Sequence, residues 1–168
     1  MIDVIIKDDQ LKQAAEKGMD AFLKVVVDSI YKSIGGELTS DNMSQLSADQ
    51  TTLLAYHILR EEVMDGGFVQ LIYNGYGAFI FKNPFGIVLR NWGLKDLYNL
   101  INKAHKLYTK YHHQIEKECS DEEFMALFEQ FDEFDSCDDN FVENEERWTA
   151  EIAYYIDQHI DNFAQIAK

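Results

Sequence analysis

Basic residues are scarce in this chain. Its 168 residues include 15 lysines and arginines against 30 aspartates and glutamates, and the formal net charge is −15 at pH 7. A protein that binds DNA or RNA neutralises phosphates with a basic surface, which this composition cannot supply. Direct binding of nucleic acid is therefore not an expected function.

Cysteines and long apolar runs are scarce as well. The only cysteines are Cys119 and Cys137, and the opening residues MIDVIIKDDQ lack the basic and apolar regions of a secretion signal. We expect no disulfide framework, and the sequence predicts a protein of the reducing cytoplasm. No stretch approaches about 18 consecutive apolar residues, so no membrane span is expected.

Core-forming residues, by contrast, are plentiful. Hydrophobic side chains make up 46% of the chain and aromatic side chains 13%, a composition that disordered segments do not have. A chain of this length can bury roughly 70% of the surface that it exposes when unfolded. We expect one compact domain that needs no disulfide or metal ion to fold.

Helical periodicity runs through most of the chain. Apolar residues recur at three- and four-residue intervals over 9–34 and predict one long helix there. Ser47 with Gln50 has the pattern of a capping box and predicts a second helix that ends near Asp65, before a Gly-Gly pair. The glycine-containing apolar stretch after that pair predicts a short buried helix and a tight turn.

Further helices are predicted in the second half of the chain. They begin at Asn83-Pro84, at Leu94, at the capping box from Ser120 to Glu123, and near Trp148, after the polar stretch 135–140. The last of them is expected to run nearly to Lys168. Residues 2–6 are the only β-like run. The sequence therefore predicts an all-α fold, a single compact domain of about seven helices.

The patterns of common catalytic and metal sites are missing. The calcium-loop register over 132–143 fails, because Phe134 occupies a ligand position and Cys137 the position of the turn glycine. No histidine follows a glutamate by three residues, and there is no Gly-x-Ser-x-Gly motif. We therefore predict no catalytic residue, metal site or cofactor, and a protein that is not an enzyme.

Negative charge is concentrated in the last third of the chain. Residues 1–115 hold 13 acids and 12 bases, whereas residues 116–168 hold 17 acids and three bases. Acids on neighbouring turns of a helix lie about 5 to 6 Å apart, which approaches the spacing of phosphates along DNA. The predicted partner-binding residues are the acids Glu122, Glu129, Asp132, Glu133, Asp135, Asp138, Asp139 and Glu143.

A short run of residues resembles a known family signature. The run Glu62-Val63-Met64-Asp65-Gly66-Gly67-Phe68-Val69-Gln70, followed by Asn74-Gly75, is similar to the signature of the DNA mimic protein 19-like family, also called domain of unknown function 4375. The resemblance covers about residues 48–165, which we expect to form the family domain, packed as one unit with the helix and loop of residues 1–47. It implies an all-α fold. The resemblance also implies that the member after which the family is named has an acidic surface, which imitates DNA and occupies the DNA-binding face of a transcriptional regulator.

Charge and resemblance together favour a binding protein. The leading hypothesis is a non-enzymatic cytoplasmic protein whose acidic residues engage a basic, DNA-binding protein, with no membrane and no nucleic acid as direct partner. One alternative is an inhibitor or immunity protein for a basic nuclease or toxin. Another is a metalloenzyme that uses carboxylates such as Asp132, Asp135 and Asp138. The oligomeric state stays open, a homodimer included.

Overall fold

The computed structural model describes residues 2–168 and is mostly helical, which confirms the all-α prediction. The described residues form eight α-helices: α1 Asp8–Lys17, α2 Met19–Ser33, α3 Ala48–Tyr73, α4 Gly77–Phe81, α5 Phe85–Asn91, α6 Lys95–Ile115, α7 Asp121–Gln130 and α8 Asp135–Gln158. Two short strands, β1 Ile5–Lys7 and β2 Gln165–Ala167, pair in parallel, and single 3₁₀ turns lie at 43–45, 132–134 and 160–162. No helix in this part of the chain is long and apolar enough to cross a bilayer.

The chain forms two compact units. One comprises the residues up to Leu54 together with Glu146–Lys168, and the other comprises Ala55–Glu145. Helix α3 therefore begins in the first unit and ends in the second, and α8 begins in the second and ends in the first.

In the first unit, the predicted helix over 9–34 is wrong as a single element. It is broken at Gly18, whose φ of 118° is outside the helical region, so α1 and α2 are separate helices in contact with each other. The apolar periodicity continues through Gly18 and hides the break, because periodicity reports only burial. A glycine can adopt this backbone conformation where other residues are strained.

The C-terminal end of the same unit also differs from the prediction. Helix α8 ends at Gln158, and the chain continues into β2, which pairs in parallel with β1 so that Ile6 lies opposite Ile166. The predicted capping box at the start of α3 is confirmed: the Gln50 backbone N–H donates to Ser47 Oγ at 3.1 Å and the Ser47 N–H to Gln50 Oε1 at 2.9 Å. Gln50 Nε2 also donates to the backbone oxygen of Phe163 at 2.9 Å, which holds the chain ahead of β2.

In the second unit, α3 is bent at Gly66 and Gly67, whose backbone angles are not helical. The short helix α4 and the turn before it agree with the prediction. Asn83, however, does not cap α5: its Nδ2 donates to the backbone oxygen of Phe79 at 2.9 Å and so binds the end of α4. Gly93, with φ of 94°, ends α5 as predicted.

Helices α7 and α8 contain most of the predicted partner-binding acids. The capping box at the start of α7 is confirmed, with Ser120 Oγ accepting from the Glu123 N–H at 3.2 Å. Residues 135–140, which the prediction placed before the last helix, instead form the first turns of α8. The apolar stripe of α8 starts earlier than Trp148, since Cys137 and Phe141 are already fully buried. The polar composition of residues 138–140 concealed this, because none of these three side chains is apolar.

Candidate functional site

The stretch of chain with the highest density of acids lies within the second unit. Between residues 122 and 143 there are nine aspartates and glutamates and no lysine or arginine. We call residues 122–143 the acidic segment. It comprises most of α7, the 3₁₀ turn at 132–134 and the first part of α8.

Helix α7 presents acids to solvent because its apolar side is anchored. Leu127 is buried and Phe124 packs against Tyr73, with the ring centres 4.6 Å apart. Glu122 and Glu129 are exposed on the other side. Among the described residues, neither makes a hydrogen bond or an ion pair, so both carboxylates are available to a partner.

The turn between α7 and α8 places two acids in different surroundings. Phe131 and Phe134 are buried and fix the turn, which leaves Asp132 and Glu133 exposed. Glu133 accepts a hydrogen bond from the Tyr111 hydroxyl and lies 3.9 Å from Lys110 Nζ. Its charge is thus partly compensated within the chain, whereas Asp132 has no partner in the described structure.

Helix α8 has two distinct faces in the acidic segment. Asp135, Asp139 and Glu143 are exposed and follow one another at four-residue intervals, which corresponds to a rise of about 6 Å per step. DNA carries one phosphate per about 3.4 Å along each strand. A row of carboxylates at this spacing imitates the charge density of a DNA strand within a factor of about two.

The opposite stripe of α8 faces α3. Residues 138, 141 and 145 make three contacts with it: Asp138 Oδ1 accepts from the Phe68 N–H at 2.8 Å, Phe141 packs against Tyr56 and Glu145 Oε1 lies 2.5 Å from Arg60 Nε. The sequence did not predict the Arg60 ion pair, since 85 residues separate its partners.

Asp138 is therefore unlike the other predicted partner-binding residues. It is half-buried, and burial raises the pKa of its carboxyl to about 6, against the opposing effect of the hydrogen bond from Phe68. The nearby carboxylates of Asp135 and Asp139 add to the rise. The structure places the other seven predicted residues at the surface and Asp138 against α3.

The residues of the signature run form one hydrogen-bonded cluster around the bend in α3. Gln70 Nε2 donates to Glu62 Oε2 at 2.9 Å and to Asp65 Oδ2 at 3.0 Å, and Asn74 Nδ2 donates to Glu62 Oε2 at 2.9 Å. The amides thus bind carboxylates on the preceding part of α3. The signature residues stabilise a bend, and this gives them a structural role.

Two exposed apolar side chains lie among the acids and were not singled out from the sequence. Met125 is 65% exposed on α7, between Glu122 and Glu129, and Val142 is 52% exposed on α8 beside Glu143. Their positions in the sequence could have indicated this, because residues three or four positions from an exposed acid lie on the same face of a helix.

The described residues contain no group of side chains arranged as ligands for a metal ion. Within 2–168, no three His, Cys, Asp or Glu side chains are grouped so that they could hold a metal ion. The carboxylates proposed for a metalloenzyme lie in different surroundings. Asp132 and Asp135 are exposed, whereas Asp138 faces α3. Burial raises the pKa of the Cys137 thiol, which disfavours a thiolate nucleophile there.

Comparisons with known proteins agree with the signature. Residues 44–159 match the family model of the DMP19-like proteins. The chain is also 35% identical over 141 residues to the DNA mimic protein DMP19 of Neisseria meningitidis serogroup B, an alignment that covers 83% of this chain and 86% of that protein. This chain therefore belongs to the DMP19-like protein family.

Proposed function

We propose that this protein is a non-enzymatic DNA mimic whose acidic segment occupies the DNA-binding face of a basic protein. The observation that carries the proposal is the set of exposed carboxylates without a partner in the described structure: Glu122, Glu129, Asp132, Asp135, Asp139 and Glu143. Lysines and arginines that normally contact phosphates are suited to pair with these carboxylates instead.

The relative's name supports the same function. The protein from Neisseria meningitidis is named a DNA mimic, and the alignment with it covers most of both chains. A strongly acidic surface also raises the rate of association with a basic partner by about 10 to 1,000-fold at low salt. Binding should therefore weaken as the salt concentration rises, because the Debye length is only about 8 Å at physiological ionic strength.

Two variants of equal net charge test the proposal. The first neutralises four acids of the acidic segment: Glu129→Gln, Asp132→Asn, Asp135→Asn and Asp139→Asn. The control neutralises four exposed acids of the first unit: Glu16→Gln, Glu37→Gln, Asp41→Asn and Asp161→Asn. Any difference between the variants then reports the position of the charges rather than their number.

The measurement is competition with DNA. A DNA-binding protein is captured from the native lysate at low salt and loaded with labelled DNA, and each variant is titrated into that complex. We expect the unaltered protein and the control to release the DNA at similar concentrations, and the acidic-segment variant to need at least tenfold more. If the partner binds DNA and this protein at the same time, without loss of affinity for either, this protein is not a DNA mimic.

A further inference from the structure

One acid of the acidic segment is held inside the structure. Asp138 Oδ1 accepts the backbone N–H of Phe68 at 2.8 Å, and the two residues are 70 positions apart in the chain. Phe68 is the first residue after the bend of α3, and its side chain is fully buried. The carboxylate thus binds a backbone group at the start of a helical segment, where N–H groups have no partner within the helix.

Gly67, the residue before Phe68, leaves room for this carboxylate, and Gly66 leaves room for the Gln70 side chain. Gly67 has a φ of 74°, and a Cβ at this position would lie 2.4 Å from Asp138 Oδ2. On the other side of the bend, a Cβ on Gly66 would lie 2.0 Å from Gln70 Oε1. No larger residue can therefore occupy either position without displacing Asp138 or the Gln70 amide.

The contact lies on the side of α8 that packs against α3. Asp138 shares the stripe of Phe141 and Glu145, both of which contact α3. Successive helical residues are rotated by about 100°, so fixing Asp138 toward α3 turns the adjacent Asp139 toward solvent. Asp135 and Glu143 lie on the same outward side as Asp139.

We propose that Asp138 is a positioning residue, seated in the Gly66-Gly67-Phe68 bend, that orients the exposed acids of α8 and does not itself contact the partner. The inference rests on the proposed function for what the exposed acids do. The seat itself can be tested without any partner. An acid that imitated a phosphate would need both exposure and full charge, and Asp138 is half-buried with its charge disfavoured by burial.

Three variants separate positioning from partner contact. Asp138→Asn removes the charge and keeps an oxygen that can accept the Phe68 N–H, whereas Asp138→Ala removes both. Asp139→Asn is the matched control, because it removes one charge from the exposed neighbour. Each variant is measured in two ways: by hydrogen exchange of the Phe68 amide in NMR spectra, and by fluorescence anisotropy with a labelled ten-lysine peptide at low salt.

We expect Asp138→Asn to bind the peptide within about twofold of the unaltered protein and to exchange its Phe68 amide no faster. Asp138→Ala should speed exchange of the Phe68 amide at least tenfold and weaken peptide binding, and Asp139→Asn should weaken peptide binding with Phe68 still protected. Equal losses of affinity in Asp138→Asn and Asp139→Asn would overturn the proposal. A tenfold faster exchange of the Phe68 amide in Asp138→Asn would also overturn the proposal. This measurement does not need Asp138→Ala, so it tests the proposal even if that variant fails to fold. If Asp139→Asn leaves peptide binding unchanged, the proposed function fails, while the exchange data still test the seat.

Discussion

The buried position of Asp138 predicts how stability depends on pH. Its pKa is raised from an ordinary value of 3.8 to about 6, chiefly by burial. Between these two values the folded protein binds a proton at this site more strongly than the unfolded chain does. The contribution of Asp138 to the free energy of unfolding therefore falls as the pH rises from about 4 to about 6, and stays low above that.

The size of this effect follows from the shift. At about 1.4 kcal/mol per pH unit, the rise in pKa corresponds to about 3 kcal/mol. Solvent reaches the half-buried carboxyl and screens part of its interactions, so we expect about 2 kcal/mol. Replacement of Asp138 by asparagine removes the charge and keeps an acceptor for the Phe68 N–H. As the pH rises from 4 to 7, the free energy of unfolding of the variant should therefore increase by about 2 kcal/mol relative to that of the unaltered protein.

The assay is urea unfolding of both proteins at several pH values between 4 and 8, followed by circular dichroism. Other carboxylates titrate in the same range, but their contributions cancel in the difference between the two proteins. The expected result is a stability difference that grows in favour of Asp138→Asn up to about pH 7 and then levels off. A difference that is constant with pH, or that grows in favour of the unaltered protein, would refute the reasoning.

Two further substitutions test the local geometry. Gly67→Ala combines a φ of 74° with a clash at Asp138, whereas Gly75→Ala has a φ of 91° and open space around it. Thermal unfolding should show a loss of about 2 to 3 kcal/mol for the first and about 1 kcal/mol for the second, and equal losses would mean that the clash is relieved. Ser120→Ala removes the capping hydrogen bond of α7 and should cost about 1 kcal/mol in urea unfolding, with Ser40→Ala as an exposed control. An unchanged unfolding midpoint in Ser120→Ala would show that the cap does not stabilise α7.

Local patterns in the sequence were sufficient for most helices. The capping boxes at Ser47 and Ser120 involve residues three apart, so the atoms that bond are close as soon as the helix starts. The periodicity of α6 likewise reflects one helix with one buried side. The density of acids between residues 122 and 143 needs no structure at all, because it is a property of composition.

The tertiary structure alone decided which acid faces inward and where helices break. Asp138 and Asp139 are adjacent and chemically alike, and only the packing of α8 against the distant residues of α3 places one of them inward and the other at the surface. The break at Gly18 leaves the apolar spacing intact, so the spacing does not reveal it. Strand β2 forms because β1 lies beside it, and three residues have too little local preference to form a strand unaided. For Asp138 and β2, a residue distant in sequence supplies the contact that determines the structure. For Gly18, the backbone conformation determines it. The spacing of apolar residues along the chain reports neither.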